Sequence, residues 1–321
     1  SDLDRVLNTG LPRAGLDAIR TELKLGAIHG SLEDYLQGFT RSLAVLQTAP
    51  GLRRVAQELV EDAARESIHH LEVRLCPDLH CERGLSTSDV LEAVRVGLAE
   101  GERRFGISFG ILVSAMRHRS EKDSARLAEL AVSWKDRGVV GFELAGIETG
   151  NPCHVHTAAL ARVKKAALGL TLHAGEVTSA RAVAEALDCG ADRIGHGTQL
   201  RDDPALLERL VESAVPLEMC PSSNVQTGAV AGYNDHPALD YLRAGLCVCI
   251  NTDSRLMSQT TVTDELMHLF RAHRLTWKEA ITLCDNSFFS CFISEERKKE
   301  LSQRLELMAA KLKPLIETSY E

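Results

Sequence analysis

Short apolar runs alternate with longer amphipathic stretches over most of this chain. The runs at 69–76, 107–114, 139–144, 170–173, 192–196, 215–219 and 246–252 read as strands. Between them, 86–104, 122–137 and 180–187 carry helical periodicity, with Gly106, Gly138 and Gly190 as stops. Residues 1–12 alternate weakly and break at Gly10 and Pro12, which predicts a short first strand and a loop. From Leu16 to Ile68 the apolar positions recur at helical spacing, and Ser31 is placed to cap a helix that starts at Leu32. Two to four helices follow the last strand. The charged stretch 295–313 reads as the solvated face of one of them.

Counting the first short one, eight strands alternate with helices. That order predicts an α/β fold with a parallel sheet, closed as a TIM-type (β/α)8 barrel with additional helices. No Gly-x-Gly-x-x-Gly turn follows the first strand, which counts against a dinucleotide-binding sheet. One barrel fills 321 residues, and no linker or composition break divides 1–321, so a single domain is expected.

Composition narrows the function. Apolar residues make up 44%, enough for a large core. The net charge of −8 is spread without a basic block, so nucleic acid is not an expected partner. No apolar run reaches transmembrane length and no secretory pattern opens the sequence, so a cytoplasmic protein with no membrane partner is expected. The nine cysteines have no regular spacing, and Cys247 and Cys249 share one face of a strand-like run. Reduced core thiols are the expectation, and a disulfide framework is not.

Chemistry gathers where strands stop. One apolar run ends in Thr171-Leu-His-Ala-Gly-Glu176, another in Arg193-Ile-Gly-His-Gly197, a third in Asn251-Thr-Asp-Ser254. A carboxylate can move protons, a histidine can polarise, and a His with an Asp can hold a metal, so His173, Glu176, His196 and Asp253 suit a hydrolytic site. Barrel enzymes keep their chemistry at the C-terminal ends of strands, where these four lie. His69 and His70 begin a strand and belong at the opposite face, with packing or hydrogen-bonding roles. His154 and His156, in a strand–helix connection, read as solvent-exposed.

Together, His-Ala-Gly-Glu176, Ile-Gly-His-Gly197, Cys220-Pro-Ser-Ser-Asn-Val-Gln-Thr-Gly228 and Asn-Thr-Asp253 resemble the adenosine deaminase family of the amidohydrolase superfamily. Glu72-Val-Arg-Leu-Cys-Pro77, Ala115-Met-Arg-His118, Gly141-Phe-Glu-Leu-Ala-Gly146 and the stretch 257–265 agree, in family order. The resemblance implies a zinc-dependent hydrolase that replaces the 6-amino group of adenosine or a related purine nucleoside. It implies His173 as a zinc ligand and Asp253 as a second that also orients the attacking water. Glu176 would protonate purine N1, and His196 would stabilise or help deprotonate the water. Gly146 would meet the purine N3 edge through its backbone.

The sequence departs from the family at its start. There the family carries His-x-His-Leu-Asp-Gly, and both histidines bind zinc. The matching stretch here is Asp4-Arg-Val-Leu-Asn-Thr-Gly10. Asp4 and Val6 stand in place of the two histidines, Asn8 in place of the aspartate that meets the ribose 5′-hydroxyl. Ser254 stands where the family usually has Asp or Asn against purine N7. Asp4, Asn8, Gly146 and Ser254 are thus the candidate substrate contacts. His173, Asp253 and Asp4 would form an oxygen-rich site, open to manganese or magnesium as well as zinc. Three readings stay open. They are a deaminase with an altered first strand, a relative doing metal-free lyase or hydrolase chemistry on a nucleoside-like compound, and a non-catalytic nucleoside-binding protein.

Overall fold

The structure, a computed structural model, describes residues 30–317. The expected first strand, with Asp4, Val6 and Asn8, lies outside the described residues. Among those described, seven parallel strands form one sheet in sequence order. They are β1 (His70–Leu75), β2 (Ser108–Met116), β3 (Val139–Ala145), β4 (Gly169–Ala174), β5 (Arg193–His196), β6 (Leu217–Met219) and β7 (Val248–Ile250). The last two are shorter than the apolar runs that predict them. Helices Thr87–Phe105, Glu121–Ser133, Thr157–Lys165, Ala180–Asp188, Pro204–Ser213 and Ala238–Arg243 lie on the connections between them. Strand–helix repeats of this order, right-handed as a rule, wind a parallel sheet into a barrel.

Helices Leu32–Gln37, Phe39–Val45 and Ala49–Arg65 precede β1. Ser31 caps the first of them, accepting the Asp34 N–H. Among the described residues four helices follow β7: Arg255–Ser258, Val262–His273, Trp277–Ser290 and Glu295–Glu317. Thr261 with Asp264, and Thr276 with Glu279, form capping boxes that start two of these four.

The side chains inside the sheet show how far it curls. Successive strand residues point to opposite faces, so Glu72 and Arg74 share one face of β1, and Thr171 and His173 one face of β4. Arg74 reaches Glu143 on β3 at 2.5 Å and Glu218 on β6 at 3.0 Å. Arg193 on β5 reaches Glu218 at 3.0 Å and Glu72 on β1 at 2.6 Å. A residue of β1 can touch β5 and β6 only across an enclosed interior. Thr171 donates to Glu218 at 2.7 Å, and Ser114 donates to Glu143. The interior is therefore a column of alternating charge, and Glu143, Arg193 and Glu218 are all buried. Buried charges survive only when paired, and each here has a partner of opposite sign.

Apolar side chains face the other way. Leu71, Val73 and Leu75 alternate with Glu72 and Arg74 and pack outward into the hydrophobic core. The end of the interior remote from the candidate site is closed by Phe292. A Cβ on Gly169 would lie 2.4 Å from its ring, so only glycine fits there. The Arg193 guanidinium stacks on the same ring at 3.6 Å. His70, as expected, sits at this end, its Nδ1 2.9 Å from Ser108 Oγ.

Candidate active site

At the opposite end of the column, β4 and β5 deliver His173 and His196, their rings edge to face at 4.7 Å. They can lie this close because β5 has glycine at 195, where a Cβ would come 3.1 Å from His173 Nδ1. The same Nδ1 is 3.0 Å from Glu143 Oε1. Burial disfavours the imidazolium, but the Glu143 carboxylate outweighs it and the pKa of His173 is raised. Glu176, three residues past His173, is buried with its Oε2 3.7 Å from His196 Nε2. Asp253 follows β7 and stays exposed. His196 (φ +64°) and Asp253 (φ +50°) both adopt the left-handed region that residues with a Cβ avoid. Such strain concentrates at functional sites, where the surroundings force it.

One short helix fixes three of these groups. Pro221–Gln226 starts directly after β6. Ser223 donates to Asp253 Oδ2 at 2.7 Å, Asn224 Nδ2 lies 3.0 Å from His196 Nδ1, and Thr227 at its C-cap donates to Glu176 Oε1 at 3.1 Å. The helix is itself anchored by Glu265, whose buried carboxylate accepts the Ser222 N–H at 2.9 Å. The stretch 220–228 belongs to the resemblance, but its sequence does not show which side chain holds which group.

Glu148 is a second positioning group that sequence pattern does not single out. It is buried on the connection after β3 and accepts the N–H groups of Gly175 at 2.6 Å and Glu176 at 3.1 Å. Buried Arg117 donates to the His173 carbonyl from the β2 side, which clamps the His-Ala-Gly-Glu turn on both flanks. Gly146 directly follows β3, at φ +94°, with His118 Nδ1 3.1 Å from where its Cβ would be. It is half-buried there, with the His118 and Met116 side chains on its Cβ side. Ser254 is half-buried at the N-cap of Arg255–Ser258 and makes no capping hydrogen bond. Tyr35 brings an earlier helix to the same mouth, its hydroxyl 3.1 Å from Ser258 Oγ; burial and then Asp253 raise its pKa.

The expectation for the 154–156 pair needs correcting. His154 is exposed, but His156 is fully buried, with Nδ1 2.9 Å from Ser124 Oγ and Nε2 3.0 Å from the Arg117 carbonyl. It braces the Arg117 segment from below, because the connection turns inward at a short 3₁₀ segment, Cys153–His156.

His173 and Asp253 suit a metal. A metal-binding histidine commonly has a carboxylate against its second ring nitrogen; Glu143 lies 3.0 Å from His173 Nδ1, which leaves Nε2, without a partner among the described residues, as the nitrogen available to a metal. Asp253 has one carboxylate oxygen on Ser223, and the other has no partner among the described residues. Among the described residues, His70, Glu72 and Cys291 also place donor atoms close together, at the far end of the barrel. There the Glu72 carboxylate is already neutralised by Arg193 and accepts the Phe292 N–H. Cys291 donates its thiol to the Ser287 carbonyl. That group is a structural plug.

A family model for adenosine deaminase matches residues 1–308. The adenosine deaminase of Mycobacteroides abscessus is 42% identical over 311 residues, covering 91% of this chain and 85% of that protein. That of Enterococcus faecalis is 40% identical over 275 residues, covering 86% and 82%. The chain belongs to the adenosine deaminase family. Solved structures agree on the architecture. An adenine deaminase from Arthrobacter aurescens superposes with a TM-score of 0.89 at 29% identity, over 96% of this chain and 93% of that one. An Arabidopsis ADAL protein complexed with IMP gives 0.84 at 25% identity, over 97% and 92%. As a member of the adenosine deaminase family this chain is an amidohydrolase-type enzyme with a TIM-type barrel. All nine cysteines are free thiols, and among the described residues no helix is long and apolar enough to cross a membrane.

Proposed function

We propose that the protein hydrolyses the 6-amino group of adenosine or a closely related purine nucleoside, releasing ammonia and leaving the 6-oxo purine. The observation that carries this reading is the juxtaposition of a buried Glu176 carboxylate with His196 at 3.7 Å, beside His173 at the end of the charged column. Relatives named adenosine deaminase, over 80% or more of both lengths, support the substrate class.

In this reading Glu176 is the acid that delivers a proton to purine N1. That makes C6 electrophilic, and Thr227 holds the carboxyl in place while it does so. His196 sits across the ring-reaction space and stabilises the water that attacks C6. Gly146 offers its backbone to the N3 edge, and Ser254 lies beside the mouth where N7 would come. Zinc is the cofactor we propose, held by His173 and Asp253 with Asp4 as a further donor. Bound there it would lower the pKa of a water from about 15.7 to about 7. The chain's own contribution is to keep the donors oriented, with Glu143 behind His173 and Ser223 behind Asp253. The nine free thiols support a reducing, cytoplasmic setting.

A second reading rests on the sequence alone. Asp4 and Val6, in place of the two histidines of the family motif, favour a reaction that needs no zinc, or a binding role. The deciding experiment measures metal content of the purified protein together with adenosine turnover, followed by ultraviolet absorbance. Stoichiometric metal and inosine formation that a chelator abolishes support the first reading. Adenosine binding without turnover, or turnover indifferent to chelation, supports the second. Glu176→Gln is the control. It should lose about 10²-fold or more in kcat while still folding and binding nucleoside.

A further inference from the structure

We infer that Asn224 and His236 are positioning residues that fix the imidazole tautomer of His196, placing its proton on Nε2 so that it faces the reaction as a hydrogen-bond donor. This deepens the proposed deaminase reading, which leaves the role of His196 between donor and base.

The inference follows from donors and acceptors along one buried line. His236, Asn224 and His196 are all buried, the first two completely. The backbone N–H of Ala238 points at His236 Nδ1 at 3.3 Å, so Nδ1 accepts. Burial keeps the His236 ring neutral, with its pKa lowered to about 3, so its one proton is on Nε2. That Nε2 lies 3.2 Å from Asn224 Oδ1 and donates to it. The same oxygen accepts the Cys220 N–H at 3.4 Å. Two donors at one end of the amide settle which atom is oxygen, and the NH₂ group must then face His196 Nδ1, 3.0 Å away. An amide nitrogen can only donate. His196 Nδ1 therefore accepts, and the proton of the neutral ring is on Nε2, pointing to Glu176 Oε2 at 3.7 Å.

The consequence is chemical. With Nε2–H facing the site, His196 starts the reaction as a donor that can stabilise negative charge on an attacking oxygen. It is not a vacant base. A ring locked in the wrong tautomer is costly: in the serine-protease triad the change that reverses it lowers kcat about 10⁴-fold.

The test is nitrogen-15 NMR of histidine-labelled protein without substrate, combined with kinetics. The wild type should show His196 with a protonated Nε2 and a bare Nδ1. Asn224→Asp puts an acceptor opposite Nδ1 and should move the proton there. It should lower kcat by about 10²–10⁴-fold with KM changed only a few-fold. His236→Gln, which still offers an N–H to Asn224, should keep the wild-type tautomer. His236→Leu leaves only the Cys220 N–H to hold the amide oxygen and should weaken the preference, giving a mixture of tautomers. A proton on Nδ1 in the wild type overturns the inference outright, whatever the variants do. So does a wild-type tautomer that persists in Asn224→Asp. If the tautomer is as stated but adenosine is not turned over, the substrate reading fails and this one stands.

Discussion

Glu148 holds Glu176 by the backbone: its Oε2 accepts the Glu176 N–H at 3.1 Å, while Oε1 accepts that of Gly175 at 2.6 Å. With the Val177 N–H also on Oε2 at 3.4 Å, a carboxylate under three consecutive N–H groups fixes the turn that presents Glu176, the proposed acid. Glu148→Ala should leave the buried N–H groups of Gly175 and Glu176, and that of Val177, without this acceptor, costing about 1–3 kcal/mol of stability. The freed turn would also misplace Glu176, and displacements near 1 Å cost about 10²-fold in rate. The expected outcome is a kcat/KM loss of that order, carried mainly by kcat. Glu148→Gln keeps one acceptor oxygen and should recover part of it. A Glu148→Ala enzyme with unchanged kcat would remove Glu148 from the positioning machinery.

Glu143 should tune metal binding through His173. The carboxylate lies 3.0 Å from the ring nitrogen turned into the barrel, which orients the ring and raises its basicity as a ligand. Glu143→Gln should weaken zinc affinity about 10- to 100-fold, measured by competition with a chromophoric chelator. The same variant should be easier to denature, because Arg74 loses one of its two carboxylate partners.

Much of this fold is legible in the sequence, and the part that is not has a single cause. The strand–helix alternation and the strand-end positions of His173, Glu176 and His196 follow from apolar period and from Gly and Pro stops. The interior of the barrel does not. In Leu71-Glu-Val-Arg-Leu75 the alternation is clear, but the usual assignment of the polar face to solvent is inverted. Glu72 and Arg74 point into the barrel, and the leucines point out to helices. Nothing local distinguishes the two cases, because the partners are Arg193 and Glu218, more than a hundred residues away. The misread exposure of His156 has the same origin: its partners Ser124 and Arg117 come from a different strand–helix unit. Short motifs carry the reactive groups, and long-range pairs carry their supports.

The column makes a sharp stability prediction. Arg74→Met strands the buried Glu143, whose pKa is held below the usual carboxylate range by Arg74 and His173 against the opposing effect of burial. Removing one member of such a pair costs about 3–5 kcal/mol. The double variant Arg74→Met with Glu143→Gln removes the stranded charge and should recover a sizeable fraction. Urea midpoints of the single and double variants at pH 7 provide the check. Equal loss in both would show that packing of Arg74, and not its charge, matters.

Acid sensitivity should begin with His236. Its folded pKa, lowered to about 3 chiefly by burial, is well below the unfolded value near 6.5. Below pH 6.5 the unfolded chain takes up a proton that the folded one refuses, so stability falls as pH falls, by up to about 1.4 kcal/mol per pH unit. Glu72 has the same sign in a lower window. Burial would raise its pKa, but Arg193 and His70 overcome this and hold it at about 2. Its contribution is therefore complete above about pH 4.5 and is lost on further acidification. The two can be separated by urea unfolding at pH 7, 6, 5 and 4. His236→Gln, with no titratable ring, should flatten the pH dependence between about 6.5 and 4.5 relative to the wild type, and leave the steeper fall below 4.5 in place. Parallel curves for the two proteins above pH 4.5 would mean that His236 is protonated in the native state. The hydrogen bond it donates to Asn224 would then belong to a cation.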